Sequence, residues 1–185
     1  MSTIKVSNLQ NASAASPAIT LAADGSATFV AFSNVPLLTG GGIKFPATQV
    51  ASADANTLDD YEEGTWTPTL GGTATYSIQS GKYTKIGRFV FASAVLSVTL
   101  LGTGSTSTVS GLPFTANNPG GGNMGGGVYY FDSLAVNVIT PTAYLSQSQN
   151  YVEFKSRTTA GTSISSVNIF GNSARIDFSL VYEVS

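Results

Sequence analysis

Residues 42–70 read GIKFPATQVASADANTLDDYEEGTWTPTL, and the character of the chain changes across them. Before this stretch the sequence is thin and rich in Ala, Ser and Thr, whereas after it strand-like segments follow one another. Half of the acidic residues and the single Trp of the chain lie within it. We therefore interpret residues 42–70 as a collar between an N-terminal arm and a C-terminal head.

The collar contains two local structural signals. Ile43 and Phe45 form a short apolar alternation that stops at Pro46, which lacks an N–H and suits the end of a brief strand. Thr57–Gly64 has a hydroxyl at a possible N-cap, acids in the first turn and a glycine at the end. This pattern predicts one short helical turn, followed by a strand over residues 65–70.

Five acids lie within ten residues of the collar, at Asp54, Asp59, Asp60, Glu62 and Glu63. Such a cluster can bind Ca²⁺ or supply catalytic carboxylates, but its spacing lacks the Asp/Asn alternation and the glycine of an EF-hand loop. Clusters of charge are more often surface features. We therefore favour a solvated turn whose carboxylates cap a helix and pair with Lys or Arg of a neighbouring chain.

Residues 1–41 predict a thin, extended arm. Two of its short apolar segments, 17–21 and 27–31, flank the turn signal Asp24-Gly25, which is typical of a hairpin. Because an isolated hairpin is marginal in water, we expect the arm to be ordered only where it intertwines with sister chains or docks on a larger assembly. The alternative is a mobile Ala/Ser-rich tail.

Residues 71–185 show repeated strand signals and almost no helical periodicity, which predicts an all-β head, a β-sandwich of jelly-roll type. Phe89–Leu101 and Val128–Ile139 are apolar on both faces, as in strands buried on one side by the core and on the other by a neighbour. Ser80-Gly81 predicts a tight turn. Near the C-terminus, strict alternation predicts the inward-facing residues Ile176, Phe178, Leu180, Tyr182 and Val184.

The composition excludes several functions. Only 10% of the residues are charged and the mean hydropathy is +0.17, yet the longest apolar run is too short and too interrupted to span a bilayer. Such a chain is expected to bury surface against other copies of itself. The absence of Cys and His excludes thiolate catalysis, cysteine-ligated zinc and Ser-His-Asp chemistry. A net charge of −2 argues against nucleic acid as a partner.

Two features of the head predict contact with a ligand. The glycine-rich stretch Asn117–Gly127 precedes a strand, not the helix of a phosphate-binding loop, so we interpret it as an adaptable tip. Tyr side chains combine an apolar ring with a polar handle and suit glycan contacts, although packing within strands is their commoner role. The scattered acids of the head nominate no glycosidase pair. The candidate contact residues are Asn123, Met124, Tyr129 and Tyr144.

The collar, the segment YSIQSGKYTKIGRFV (76–90) and SGLPF (110–114), in this order, resemble a module near the C-termini of tailed-phage fibre and receptor-binding proteins. The opening MSTIKVSNLQ resembles the N-termini of fibre proteins of marine and cyanobacterial phages. The resemblance implies a homotrimeric virion fibre with an attachment arm and a head that faces the host. Carried over by position, it assigns virion attachment to Ile4, Val6 and Leu9. It assigns the trimer neck and collar to Ile43, Phe45, Pro46, Leu58, Asp59, Asp60, Tyr61, Glu62, Glu63 and Trp66, and the first head hairpin to Tyr83, Ile86 and Gly87.

We therefore expect a non-enzymatic, homotrimeric phage structural protein. In this interpretation it is a short tail fibre that attaches to another virion protein through residues 1–41 and contacts host surface glycan with its head. No cofactor, metal, nucleic acid or membrane insertion is expected. The alternatives are a capsid decoration or head-fibre protein without receptor binding, and a polysaccharide depolymerase.

Overall fold

A computed structural model of the chain describes residues 8–9, 19–21, 27–29, 37–39, 42–45, 48, 52–54, 56–117, 120–157, 159–161 and 163–184, with side chains from Ile43 onward. Within these ranges the protein is all-β, as the sequence predicts, and no helix is present that could cross a membrane. The chain divides into two units, Met1–Ala51 and Ser52–Ser185.

The described residues of the first unit form five very short strands. β1 (Asn8–Leu9), β2 (Ile19–Leu21) and β3 (Ala27–Phe29) form one antiparallel sheet, and β4 (Leu37–Thr39) pairs with β5 (Gly42–Lys44). The pairing of β2 with β3 agrees with the predicted hairpin, while its turn residues lie outside the described part of the chain.

The second unit is built on one antiparallel sheet of nine strands. The strands are β6 (Tyr61–Trp66), β7 (Thr75–Ile86), β8 (Phe89–Leu100), β9 (Thr108–Ser110), β10 (Met124–Asp132), β11 (Thr142–Leu145), β12 (Tyr151–Ser156), β13 (Ser165–Ser166) and β14 (Arg175–Glu183). Their order is β13-β12-β11-β10-β14-β8-β7-β6, and β9 also pairs with β12. Thr69 and Ser110 exchange backbone hydrogen bonds of 3.0 and 2.8 Å, which link the segment after β6 to β9. The sheet therefore curls back on itself.

The core lies between the two halves of this curled sheet. Val90, Ala92, Ala94, Leu96 and Val98 of β8 are buried, and so are all five residues predicted to face inward near the C-terminus. Opposite strands meet through aromatic edges, since Phe154 of β12 packs on Phe178 of β14 with ring centroids 5.2 Å apart. The arrangement is sandwich-like, in agreement with the predicted fold class. We call the side of β6, β7, β8, β10 and β14 that points into this core their inner face, and the opposite side their outer face.

The predicted helical turn at Thr57–Gly64 is wrong. A turn occurs earlier, where the amide of Thr57 donates to the carbonyl of Asp54 at 3.1 Å, and Tyr61 already begins β6. Gly64 does not end a helix, because it lies within β6 directly opposite Tyr83. A methyl group at Gly64 would come 2.6 Å from the ring of Tyr83, so the glycine leaves room for that ring.

The predicted tight turn at Ser80-Gly81 is also wrong, because β7 runs through it without interruption. Gly81 pairs with Trp66, and a methyl group at Gly81 would lie 2.5 Å from the indole Nε1. Thus β6 and β7 contain two reciprocal pairs, Gly64 with Tyr83 and Trp66 with Gly81, in which an aromatic ring covers a strand glycine. The actual hairpin turn follows Ile86, where Gly87 adopts φ 55° between β7 and β8.

Two further strand boundaries differ from expectation. The glycine-rich tip is shorter than predicted, since Met124–Gly127 already belongs to β10 and pairs with β11. The strand predicted over Val128–Ile139 ends at Asp132, and Ser133 follows with φ 52°. Phe89–Leu100 forms the long strand expected from its two apolar faces.

Candidate functional site

The outer face carries an unusual amount of exposed apolar surface. Because register partners lie on the same face, the side chains can be followed across strands in rows. One row contains Tyr61, Ile86, Phe89 and Glu183, and the next contains Glu63, Thr84, Phe91 and Val181. Phe89 is 38% exposed and Phe91 is 47% exposed, although both lie in the middle of the sheet order.

The third row is made of small or flexible polar residues. Lys82 pairs with Ser93, Ser93 pairs with Ser179, and Thr65 pairs with Lys82 on the other side. Thr65, Ser93 and Ser179 are short next to Phe91, and a depression results. We call it the cross-strand groove; its volume is about 870 Å³. Its lining includes Glu63, Thr65, Lys82, Thr84, Phe91, Ser93, Gly125, Gly126, Gly127, Ser179 and Val181.

The glycines of β10 keep one end of the groove open. Gly125, Gly126 and Gly127 present no side chains to it, and a methyl group at Gly126 would collide with the backbone carbonyl of Ser179. A methyl group at Gly127 would have nothing within 4 Å of it, so this part of the strand faces open space. The glycine run therefore shapes the groove as well as allowing the close approach of β10 to β14.

A small second cavity adjoins the groove. It has a volume of about 90 Å³ and is lined by Ser80, Gly81, Lys82, Ser93, Ala94, Val95 and Tyr129. Lys82 and Ser93 line both spaces, so this annex opens beside the central row of the groove. Tyr129 is 62% exposed and stands at its edge.

The charges around the groove are not equally neutralised. Arg175 donates two hydrogen bonds to the carboxylate of Asp177, with lengths of 3.0 and 2.9 Å. These bonds hold the pKa of Arg175 above its ordinary value. Glu63 accepts a hydrogen bond from the hydroxyl of Tyr61, and this bond raises the pKa of Tyr61. Lys82 is exposed and forms no ion pair within the described part of the chain. The groove thus contains one accessible cation.

The acids of the collar serve the fold of their own chain. Asp60, immediately before β6, is buried and forms an ion pair with buried Lys85 of β7, contrary to the expectation of a solvated turn. Glu62 accepts a hydrogen bond from Tyr83, which raises the pKa of Tyr83 to about 12. Asp59 accepts from the amide of Ser52 at 2.8 Å. Among the residues that the structure describes, no group of three or more acids could hold a metal ion.

The other collar and arm residues fall in different environments. Trp66 is buried in the core of the sandwich. Its Nε1–H donates a hydrogen bond to the carbonyl of Ser93 at 3.1 Å, and its ring meets that of Phe178 edge to face. Leu58 is exposed. Ile43 is exposed and Phe45 is half-buried. Ile4, Val6 and Pro46 lie outside the described residues, and only the backbone of Leu9, in β1, is described.

The four predicted contact residues are not grouped on one loop. Asn123 is exposed just before β10, whereas Met124 is half-buried and its sulfur accepts the amide N–H of Glu183 at 3.1 Å. Tyr129 borders the annex. Tyr144 lies on β11 beneath Lys155, whose Nζ is 3.5 Å from the ring centroid. Sequence reasoning missed Lys82, Ser93 and Ser179, since only strand register brings them together.

The second unit is thus a curled antiparallel β-sandwich with an exposed groove on its outer face. Its fold is similar to that of part of the Dettilon tailspike protein (gp208), with a TM-score of 0.53 at 19% sequence identity. The similarity covers 66% of this chain and 24% of the tailspike, so the chain matches about a quarter of that protein. No family model matches the sequence. No curated protein matches it either.

Proposed function

We propose that this protein is a homotrimeric, receptor-binding component of a phage tail, a short tail fibre that binds host surface glycan through its outer face. The observation that carries the proposal is the cross-strand groove with its exposed aromatic rim on a sandwich similar in fold to a tailspike segment. At this level of identity the likeness concerns the fold, and the proposed activity depends on the groove.

The groove has the chemistry of a glycan site. Sugar rings present hydroxyl groups at their edges and apolar C–H groups on their faces, so they fit surfaces that combine hydrogen-bonding groups with exposed aromatic rings. Ser93, Ser179 and Thr84 supply hydroxyls along the groove, and Phe91 supplies an exposed ring. Four interstrand spacings of about 4.8 Å make the groove about 19 Å long, which accommodates a short oligosaccharide.

Binding is favoured over cleavage by the acids present. Glycoside hydrolysis ordinarily requires two carboxylates on either side of the scissile bond. Among the described residues that line the groove, Glu63 is the single carboxylate. A depolymerase would therefore need a second acid from a neighbouring chain.

The proposed trimer contact lies on the outer face, in the row next to the groove. This row is at the start of β6, directly after residues 52–60. Tyr61, Ile86 and Phe89 form one row of the outer face and are each more than a third exposed, and Leu58, three residues before β6, is exposed as well. These residues form the assembly patch. Exposed apolar groups of this size mark interfaces, and a second copy is the partner that the low charge of the chain favours. Three weakly binding heads on one fibre would add avidity without any new contact.

The function is tested by adsorption of the fluorescently labelled protein to candidate host cells. Ser93→Trp and Ser179→Trp fill the groove and are expected to abolish adsorption, since a large ring replaces a hydroxyl at its centre. Gln147→Trp is the matched control, because Gln147 is exposed on the turn between β11 and β12 and outside the groove. Normal adsorption of both groove variants would overturn the proposed site.

Two rival functions predict different results. A capsid decoration protein would place labelled copies on capsid faces or vertices in electron micrographs of particles, and a tail component would place them on the tail. A depolymerase would shorten purified host polysaccharide, measured by size-exclusion chromatography, and Glu63→Gln would stop the shortening. Unchanged polysaccharide length is the result expected from a binding protein.

A further inference from the structure

We propose that the annex receives an anionic substituent of the bound sugar, so that the groove selects acidic oligosaccharides over neutral ones. This inference rests on the proposed glycan-binding function and adds the ligand class. The shared chemistry is a carboxylate or sulfate group projecting from a sugar ring. Lys82 would meet that group with its ammonium.

The lining of the annex is suited to an anion. Lys82 contributes the ammonium, Ser80 and Ser93 are placed to contribute hydroxyls, and Tyr129 contributes a phenol at the edge. No acid is among the described residues that line this cavity. Hydrogen bonds from charged donors to anions are stronger than those between neutral groups, which makes Lys82 the dominant contact.

The surrounding charges leave Lys82 available. Glu63 lies on β6 in the neighbouring row, on the side of Lys82 that faces the main groove, and it accepts a hydrogen bond from Tyr61. Asp177 lies on β14 near Val95, but Arg175 already forms two hydrogen bonds to it. An anion in the annex therefore meets Lys82 on the side away from Glu63.

The sizes of the two spaces assign them different parts of a ligand. The main groove, at about 870 Å³, accommodates several sugar rings, whereas the annex, at about 90 Å³, has the room of a few water molecules. A carboxylate or sulfate fits such a space and a further ring does not. The two cavities share Ser93 and Lys82, so a ring above the central row can direct a substituent into the annex.

The test is titration calorimetry of the full chain with three oligosaccharide probes. Oligogalacturonate carries carboxylates, a dextran-sulfate oligosaccharide carries sulfates, and a dextran oligosaccharide is neutral. Lys82→Gln is expected to weaken binding of at least one acidic probe about tenfold or more, as expected for loss of a charged hydrogen bond. The same acidic probe is expected to lose affinity in the wild type between about 50 mM and about 0.5 M NaCl, because salt screens an accessible ion pair.

Arg157→Gln is the control, since it removes the same charge from an exposed side chain outside both cavities. It should leave every affinity within about twofold, because Arg157 lines neither cavity and its exposed charge is screened by solvent and salt. Thermal denaturation of both variants shows that the fold is retained. The relative effects on the carboxylate and sulfate probes identify which anion the annex accepts.

Three results would overturn the inference. They are equal binding of neutral and acidic probes, unchanged affinity of the acidic probe in Lys82→Gln, and failure of both acidic probes to bind. Adsorption to host cells distinguishes the proposed anion site in the annex from the proposed glycan-binding function of the groove. If Lys82→Gln adsorbs normally while Ser93→Trp does not, the anion site is refuted and the glycan-binding groove stands.

Discussion

The inner and outer faces of the same strands in this sandwich differ in almost every respect. On β8, Val90 and Leu96 are completely buried, whereas Phe89 and Phe91, one residue from Val90, are exposed to 38% and 47%. The inner face holds the core and the Asp60–Lys85 pair, and the outer face holds the groove and the assembly patch. Apolar character in a strand therefore does not distinguish residues that form the core from residues that remain exposed on the surface. Substitutions on the two faces should separate stability from binding.

The largest loss of stability is expected on the inner face, at the buried ion pair. Asp60→Ala leaves the ammonium of Lys85 buried without its partner and should lower the free energy of unfolding by about 3–5 kcal/mol. Urea denaturation measures this. Glu63→Gln, three residues along on the outer face, should change the same quantity by at most about 0.5 kcal/mol. A loss below about 1 kcal/mol in Asp60→Ala would show that the pair is solvated.

A smaller loss is expected from crowding the inner face at Gly81. Gly81→Ala places a methyl group 2.5 Å from the indole nitrogen of Trp66 and should cost about 1–3 kcal/mol through displacement of that ring. Gly127→Ala, on β10, has open space around its methyl group and provides the comparison. Thermal denaturation followed by Trp fluorescence measures both. Equal stability of the two variants would mean that Trp66 moves aside freely.

Alkaline pH is expected to weaken the fold through two tyrosines. The hydrogen bond with Glu62 raises the pKa of Tyr83 from 10.0 to about 12, and burial raises the pKa of Tyr182. In both residues the neutral phenol is therefore favoured in the folded state. The stabilising contribution of Tyr83 is complete below pH 10 and declines as pH rises from 10 to about 12. Absorbance titration of phenolate formation tests this against Tyr83→Phe. Ionisation of Tyr83 near pH 10 would contradict it.

The smallest change in stability and the clearest change in assembly are expected on the outer face. Ile86→Lys puts a charge into the assembly patch and should leave the unfolding free energy of the protomer within about 0.5 kcal/mol. Light scattering should report the mass of a trimer for the wild type and a lower mass for this variant. A monomeric wild type at micromolar concentration would refute the proposed assembly, whatever the variant does.

The strand alternation near the C-terminus was sufficient to predict which side chains face the core, because a half-buried strand repeats every two residues. The two strand glycines, by contrast, led to wrong predictions because residues distant in the sequence decide their conformation. Gly64 and Gly81 have local contexts typical of a helix end and a turn, yet each lies in a strand because an aromatic ring of the neighbouring strand covers it. Such pairs depend on contacts between residues 15 to 19 positions apart, and no local pattern records them.

The groove was beyond sequence reasoning for a related physical reason. Lys82, Ser93 and Ser179 carry no motif in the sequence and become neighbours only through the register of three strands. The apolar residues on both faces of Phe89–Leu100 did indicate more apolar surface than one core covers, and the chemistry of Tyr129 marked it as a candidate contact. The groove itself could not be predicted from the sequence, because it exists only in the three-dimensional arrangement of the strands.

The crowding at Gly126 limits how the proposed binding surface could change during evolution. Any replacement there would strike the carbonyl of Ser179, so natural selection should reject it whatever ligand the groove binds. Under the proposed function, changes of ligand are expected to accumulate at Lys82 and Tyr129 instead, where a new side chain alters what is recognised and spares the scaffold.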